Sequence, residues 1–194
     1  MLVEWSEFIK EGLPVKEKKA SVTIGVFDGV HRGHKALIEQ VVSRNAENVP
    51  VVITFRENHK TISNEQLAMS NEQRDIQTFE QRVNTLEKFG IQIIVVIDFN
   101  ESFRRMAGIE FLEILIKCCN IGFFAVGSAF RCGYRLDTDA EAIQRFFTSR
   151  GVPAEIVPEV TEDSLPISSS RIRAAIAAGN IELAEIMLGR ALNR

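Results

Sequence analysis

The chain has 194 residues, 45% of them hydrophobic, with 23 Lys and Arg against 26 Asp and Glu and a formal net charge of −3. That length and apolar content suit a single domain over residues 1–194 with a full core, and the charge balance argues against nucleic acid as main partner. No apolar run approaches the roughly 18 residues of a membrane span, and Met1-Leu2-Val3-Glu4-Trp5-Ser6-Glu7 is too acidic for a signal peptide, so a cytoplasmic protein without a membrane partner is expected. Cys118, Cys119 and Cys132 are odd in number and two are adjacent, which favours reduced structural thiols over a disulfide framework.

Residues 1–19 read as an N-terminal extension, a short helix over Val3–Gly12 followed by the charged connector Lys16-Glu17-Lys18-Lys19. The β-branched run Val22–Val26 reads as a buried strand, and a helical pattern begins at about Gly33. Lys35–Arg44 places Leu37, Ile38, Val41 and Val42 on one face, as a helix covering a sheet would. Val49–Phe55 is a second strand. Residues 56–76 lose all periodicity, a long loop that either covers a substrate or is disordered. Gln77–Phe89 is helical and stops at Gly90. Ile91–Ile97, apolar nearly throughout, predicts a strand buried on both faces and hence a parallel sheet. Helices over Glu101–Met106 and Ile109–Cys118, a strand over Gly122–Val126 closing at Gly127, and a helix over Thr138–Arg150 follow. Val152–Val160, with two prolines, predicts an edge strand. The alternation predicts an α/β fold with a doubly wound parallel sheet and a ligand at the carboxyl ends of the strands.

Two stretches carry chemistry. In Gly25-Val26-Phe27-Asp28-Gly29-Val30-His31-Arg32-Gly33-His34 a strand runs through a glycine-bearing turn into a helix start, where unpaired backbone N–H groups favour anions. His31 and His34, three apart, can reach one ligand. The pair also suits a metal, although His59 is the remaining histidine and the cysteines lack ligand-like spacing, or a helix start with no ligand. In Leu165-Pro166-Ile167-Ser168-Ser169-Ser170-Arg171-Ile172-Arg173 the serines are helix N-caps. Arg173 shares a face with Ser169 and Ser170, so hydroxyls, N–H groups and a guanidinium converge, while Arg171 points away as a surface residue.

The first stretch resembles the HxGH signature of the nucleotidyltransferase superfamily, and its FDGVHxGH form resembles the FMN adenylyltransferase module of bacterial FAD synthetases. The second resembles that superfamily's ISSTxIR signature, with Ser168, Ser169, Ser170 and Arg173 on the motif positions. The resemblance covers roughly residues 20–190 and extends to the tail ending Met187-Leu188-Gly189-Arg190, after which bifunctional members carry a riboflavin kinase domain that is not expected here. It implies a Rossmann-like nucleotidyltransferase fold and the reaction of FMN with ATP to give FAD and pyrophosphate, with Mg²⁺ on the ATP phosphates and no metal held directly by protein ligands. It also implies His31, His34 and Arg173 as catalytic residues, the attacking FMN phosphate needing no base. Gly25, Phe27, Asp28, Gly29, Gly33, Gly127, Ser168, Ser169 and Ser170 would bind ATP and its phosphates.

Phe55, His59 and Phe130 would contact flavin. Here the motifs diverge: Thr54-Phe55-Arg56-Glu57-Asn58-His59-Lys60 stands where TFxPHP is usual, and Val126-Gly127-Ser128-Ala129-Phe130-Arg131-Cys132-Gly133 where VGxDFxFG is usual, with Ala129 and Cys132 replacing polar and aromatic residues. A non-catalytic flavin or adenine-nucleotide binder, and a nucleotidyltransferase using another phosphate acceptor, are the alternative readings.

Overall fold

The computed structural model describes residues 1–15, 18–56 and 75–192. Its strands are β1 (Leu2–Glu4), β2 (Lys19–Ile24), β3 (Asn48–Phe55), β4 (Ile93–Ile97), β5 (Ile121–Gly127), the short β6 (Arg131–Cys132) and β7 (Thr138–Asp139), β8 (Ala154–Val157), and the short β9 (Thr161–Glu162) and β10 (Leu165–Pro166). Six of them make one sheet in the order β1-β4-β3-β2-β5-β8. Every neighbour in that sheet is parallel, with Val22 opposite Val51 and Ile53 opposite Val95. The doubly wound parallel sheet is therefore borne out. From β2 the chain winds outward through β3 and β4 on one side and through β5 and β8 on the other, so the topological switch point lies between β2 and β5.

The helices are α1 (Trp5–Glu11), α2 (Arg32–Val42), α3 (Phe79–Lys88), α4 (Glu101–Arg104), α5 (Gly108–Cys118), α6 (Ala140–Thr148), α7 (Ser169–Ala177) and α8 (Ile181–Leu188). Side chains alternate across a strand, and β3 and β4 are apolar at every buried position but Asn48 and Thr54 because both of their faces are covered. Val51, Ile53 and Val95 pack with Phe8, Leu112 and Phe147 of α1, α5 and α6 on one face. Val52 and Ile94 pack with Ile38, Val41 and Leu86 of α2 and α3 on the other. Helices α7 and α8 bury Ile172, Ala184 and Met187 in a smaller cluster of their own. Local signals fix several helix starts: Thr78 and Gln81 form a reciprocal capping box on α3, and Asp139 caps α6.

Several expectations need correction. Residues 2–4 are not helical and the N-terminal stretch is not an appendage, because Leu2–Glu4 adds an edge strand to β4 before α1 begins at Trp5. Val3 faces the core there, an apolar contact that a helix start at the same position would forfeit. The strand expected over Val22–Val26 runs over Lys19–Ile24, since Gly25 begins the loop. The strand expected over Val152–Val160 is confined to Ala154–Val157 and is an edge strand as anticipated, with Pro153 and Pro158 just outside it. Thr138 and Asp139 belong to the β6–β7 ribbon, not to the helix that follows. Lys16, Glu17, and the 57–74 part of the expected long loop lie outside the described residues.

Candidate active site

The β2–α2 loop turns sharply for a sequence reason. Phe27 and Val30 adopt positive φ (55° and 39°), a region that costs a non-glycine residue about 1 kcal/mol or more. The Phe27 ring folds back over Gly25, where a Cβ would sit 3.2 Å from it. Gly33 plays the same part for the His31 ring, whose atoms would lie 3.2 Å from a Cβ. The glycine between the two histidines thus lets the first imidazole lie back onto the second. Their centroids are 3.6 Å apart and nearly parallel, with Phe27 5.1 Å from His34 on another side.

The expectation of two histidines on one helical face is refined by this geometry. His31 is the N-cap of α2, its Nδ1 accepting from the His34 backbone N–H at 3.3 Å. An accepting Nδ1 assigns the neutral ring's proton to Nε2, which becomes a donor. Burial pushes the His31 pKa down to about 4, and burial, then the His31 and Arg82 charges, hold His34 well below its usual value. Both rings are held neutral near pH 7, and His31 presents its Nε2–H.

A stability prediction follows from that neutrality. In the unfolded chain the imidazoles protonate near pH 6.5, so between about 6.5 and about 4 the unfolded state binds more protons and stability falls as pH falls, by on the order of 2–3 kcal/mol for His31. Asp28, whose carboxyl is raised by burial, contributes in the opposite direction above its unfolded value and offsets part of this loss. Urea midpoints between pH 7 and 4.5 should fall less steeply for His31→Asn, which keeps a cap, than for the natural protein. Equal slopes would remove the claim that His31 is held neutral.

A cavity of about 300 Å³ opens at the carboxyl ends of β2 and β5, the switch point. Gly25, Phe27, Asp28, His31, Gly33 and His34 line it from the first motif. Ser168, Ser169, Ser170 and Arg173 line it from the second, with Gly127 and Phe130 from the β5 loop. Ser168 caps α7, accepting from Arg171 N at 3.2 Å. Ser169 Oγ donates to the Asp28 carbonyl at 2.9 Å, and Arg173 Nη1 donates to Asp28 Oδ2 at 2.5 Å. The two motifs, far apart in sequence, are joined directly.

Not every expected ligand residue faces this cavity freely. Gly29 does not line it: its φ of +78° makes the turn, its Cβ position is closed by Ile76 at 3.0 Å, and its carbonyl accepts from Arg190 Nη2 at 2.7 Å. Asp28 lines the cavity, with its carboxylate 2% exposed and engaged on both oxygens by the Ile76 amide and by Arg173. Arg171 is no plain surface residue, since its Nη1 donates to the Glu162 and Leu165 carbonyls at 2.9 Å and holds the β9–β10 hairpin under α7.

Phe55 lies in a second, apolar cavity of about 100 Å³ with Phe99, Phe103 and Cys132. Phe130 lines both cavities and separates them, as do Ile24 and Val26. His59, Asn58 and Lys60 lie outside the described residues.

Arg82 was not singled out from sequence. It is 3% exposed, and its guanidinium donates to the carbonyls of Val26 (2.7 Å), Phe55 (2.6 Å) and Arg56 (2.9 Å), tying the ends of β2 and β3 together behind both cavities. The signal was an arginine inside the 79/82/83/86 apolar stripe of α3, where a solvated charge has no place.

A parallel sheet with its phosphate-type loop at the switch point, and a second capped helix closing on that loop, defines a Rossmann-like nucleotidyltransferase fold. A family model described as FAD synthetase matches residues 13–171. The chain belongs to the FAD synthetase family. It is 29% identical over 170 residues to the bifunctional riboflavin kinase/FMN adenylyltransferase of Escherichia coli K12, covering 87% of this chain and 53% of that one. It is 30% identical over 183 residues to the protein of the same description from Bacillus subtilis 168, covering 91% and 56%. The chain therefore spans about half the length of these curated relatives. A crystal structure described as a macrolide-efflux protein from Streptococcus pneumoniae superposes with a TM-score of 0.83 at 28% identity, covering 98% of this chain and 60% of that one. Among the described residues no helix is long and apolar enough to cross a membrane.

Proposed function

We propose that the chain transfers the AMP moiety of ATP to FMN, giving FAD and pyrophosphate. The observation that carries the reading is the meeting of both signatures on one cavity: imidazole N–H groups, serine hydroxyls and a guanidinium line a single phosphate-sized space. Family membership supports the same reaction. An oxygen of the FMN phosphate attacks the α-phosphorus of ATP, one P–O bond forms, the bond to the β-phosphate oxygen breaks, and pyrophosphate leaves with its charge. The nucleophile is already anionic, so the protein's task is positioning and charge stabilisation. His31 and His34 donate to the triphosphate, the Ser168–Ser170 turn holds its outer phosphates, and Arg173 neutralises the leaving group. Gly127, with no described atom within 4 Å of its Cβ position, leaves room for the nucleotide against β5.

The flavin ring belongs in the apolar cavity beyond Phe130, which at about 100 Å³ is smaller than the usual range of about 300–1,000 Å³ for a small-molecule site. Entry therefore requires the rim to yield. Leu136 at that rim and its neighbour Arg135 hold consecutive positive φ angles of 58° and 57°, a strained turn with conformational energy to release.

Magnesium enters, in this reading, as part of the MgATP substrate. The acidic side chain of the first motif, Asp28, is already committed to Arg173 and to the Ile76 amide, so the ion keeps its nucleotide and water ligands. Purified protein given FMN and MgATP should release pyrophosphate and form FAD in equal amounts. Binding of both substrates without turnover would favour a carrier, and turnover confined to another acceptor would reassign the substrate.

A further inference from the structure

We propose that Asp28 is a positioning residue for Arg173, holding one arm of the guanidinium so that the other faces the phosphates; this rests on the proposed adenylyl transfer. A buried carboxylate beside a triphosphate is repulsive, so its presence there requires a compensating task. Asp28 spends its oxygens on two partners, the Ile76 amide at 2.8 Å and Arg173 Nη1 at 2.5 Å. Its backbone carbonyl holds the Ser169 hydroxyl at 2.9 Å. One residue of the first motif thus fixes the cation and a hydroxyl of the second.

The guanidinium is a rigid planar fork, so pinning Nη1 sets the direction of Nη2. Nη2 makes a long 3.3 Å contact with Ser170 Oγ, the bond most easily exchanged for a phosphate oxygen. The Arg173 side chain is 12% exposed and that exposure is into the cavity. Both members of the pair are therefore largely withdrawn from water, where a charge-assisted hydrogen bond holds its geometry.

Removing the Asp28 charge has two opposed effects. Repulsion toward bound phosphates is relieved, while the aim of Arg173 on the departing pyrophosphate is lost. Asp28→Asn, which keeps the shape and an acceptor for Ile76, should lower kcat by about 10²-fold without raising KM for MgATP. Arg173→Lys should slow the reaction in the natural background and add little in the Asp28→Asn background. Additive losses, an unchanged kcat, or a loss expressed as a raised KM would overturn the proposal. Should Asp28→Asn fail to fold, Asp28→Glu displaces the same carboxylate and must give the same split.

A calorimetric cycle with inorganic tripolyphosphate decides the coupling independently of turnover. Arg173→Lys should weaken binding in the natural protein and change it little beside Asp28→Asn. Equal weakening in both backgrounds would overturn the proposal. If the natural protein makes no FAD, the adenylyltransferase reading fails, and the tripolyphosphate cycle still reports on the Asp28–Arg173 pair.

Discussion

His31→Ala is expected to slow FAD formation by about 10²- to 10³-fold, the loss typical of removing one oriented donor from a site where negative charge develops. The argument rests on the ring's protonation and on its place. Its Nδ1 is used as the acceptor that starts α2, so the neutral ring presents Nε2–H, and it lines the cavity shared with Ser169 and Arg173. The stack with His34 is held by Gly33 and by the strained backbone at Phe27 and Val30, so the donor is fixed before substrate arrives. Alanine also removes the cap, a cost of about 1 kcal/mol to the helix. His31→Asn restores a cap but not a donor of the same reach, and separates the two effects: its stability should be near that of the natural protein while its kcat stays low. Natural kcat in His31→Ala, measured at saturating FMN and MgATP, would contradict the role.

Arg82→Leu should destabilise the fold by about 3 kcal/mol, because the carbonyls of Val26, Phe55 and Arg56 each lose a charged donor, the Val26 oxygen keeping the Thr54 hydroxyl at 3.1 Å, and one hydrogen bond to a charged group contributes about 1.5–3 kcal/mol. Against a total stability of about 5–15 kcal/mol that is a large fraction, visible as a lowered urea midpoint. The carbonyls of Val26 and Phe55 belong to residues that line the cavities, so the substitution loosens the floor between them as well. Arg82→Lys, a point charge without the fork, reaches fewer of the three and should fall between the natural protein and Arg82→Leu. A midpoint for Arg82→Leu equal to that of the natural protein would show that the carbonyls find other donors.

What was legible in the sequence was what is local or periodic. Helix α2 and strands β3 and β4 announced themselves through the spacing of Leu37, Ile38 and Val41 and through unbroken apolar runs. Both motif loops were legible as helix starts, since Ser168 caps the helix that follows it and His31 caps its own. Strand β1 was missed because three residues running without a break into α1 carry no period of their own, and only β4 gives them a partner. The ribbons β6–β7 and β9–β10 were missed because two-residue strands are set by tertiary clamps such as Arg171 on Glu162 and Leu165. The Asp28–Arg173 contact was not legible for a related reason. The partner of Asp28 lies at the other end of the chain, and position alone says that a carboxylate is near the phosphates, not that Arg173 has claimed it.

The central claim, that both motifs serve one triphosphate whose α-phosphorus is attacked by FMN, is tested most directly by the fate of labelled phosphorus. With FMN and Mg²⁺ present, label at the α-phosphate of ATP should be recovered in FAD and label at the γ-phosphate in pyrophosphate. Recovery of γ-label on a flavin, or α-label that stays in ATP and never appears in FAD, would contradict it.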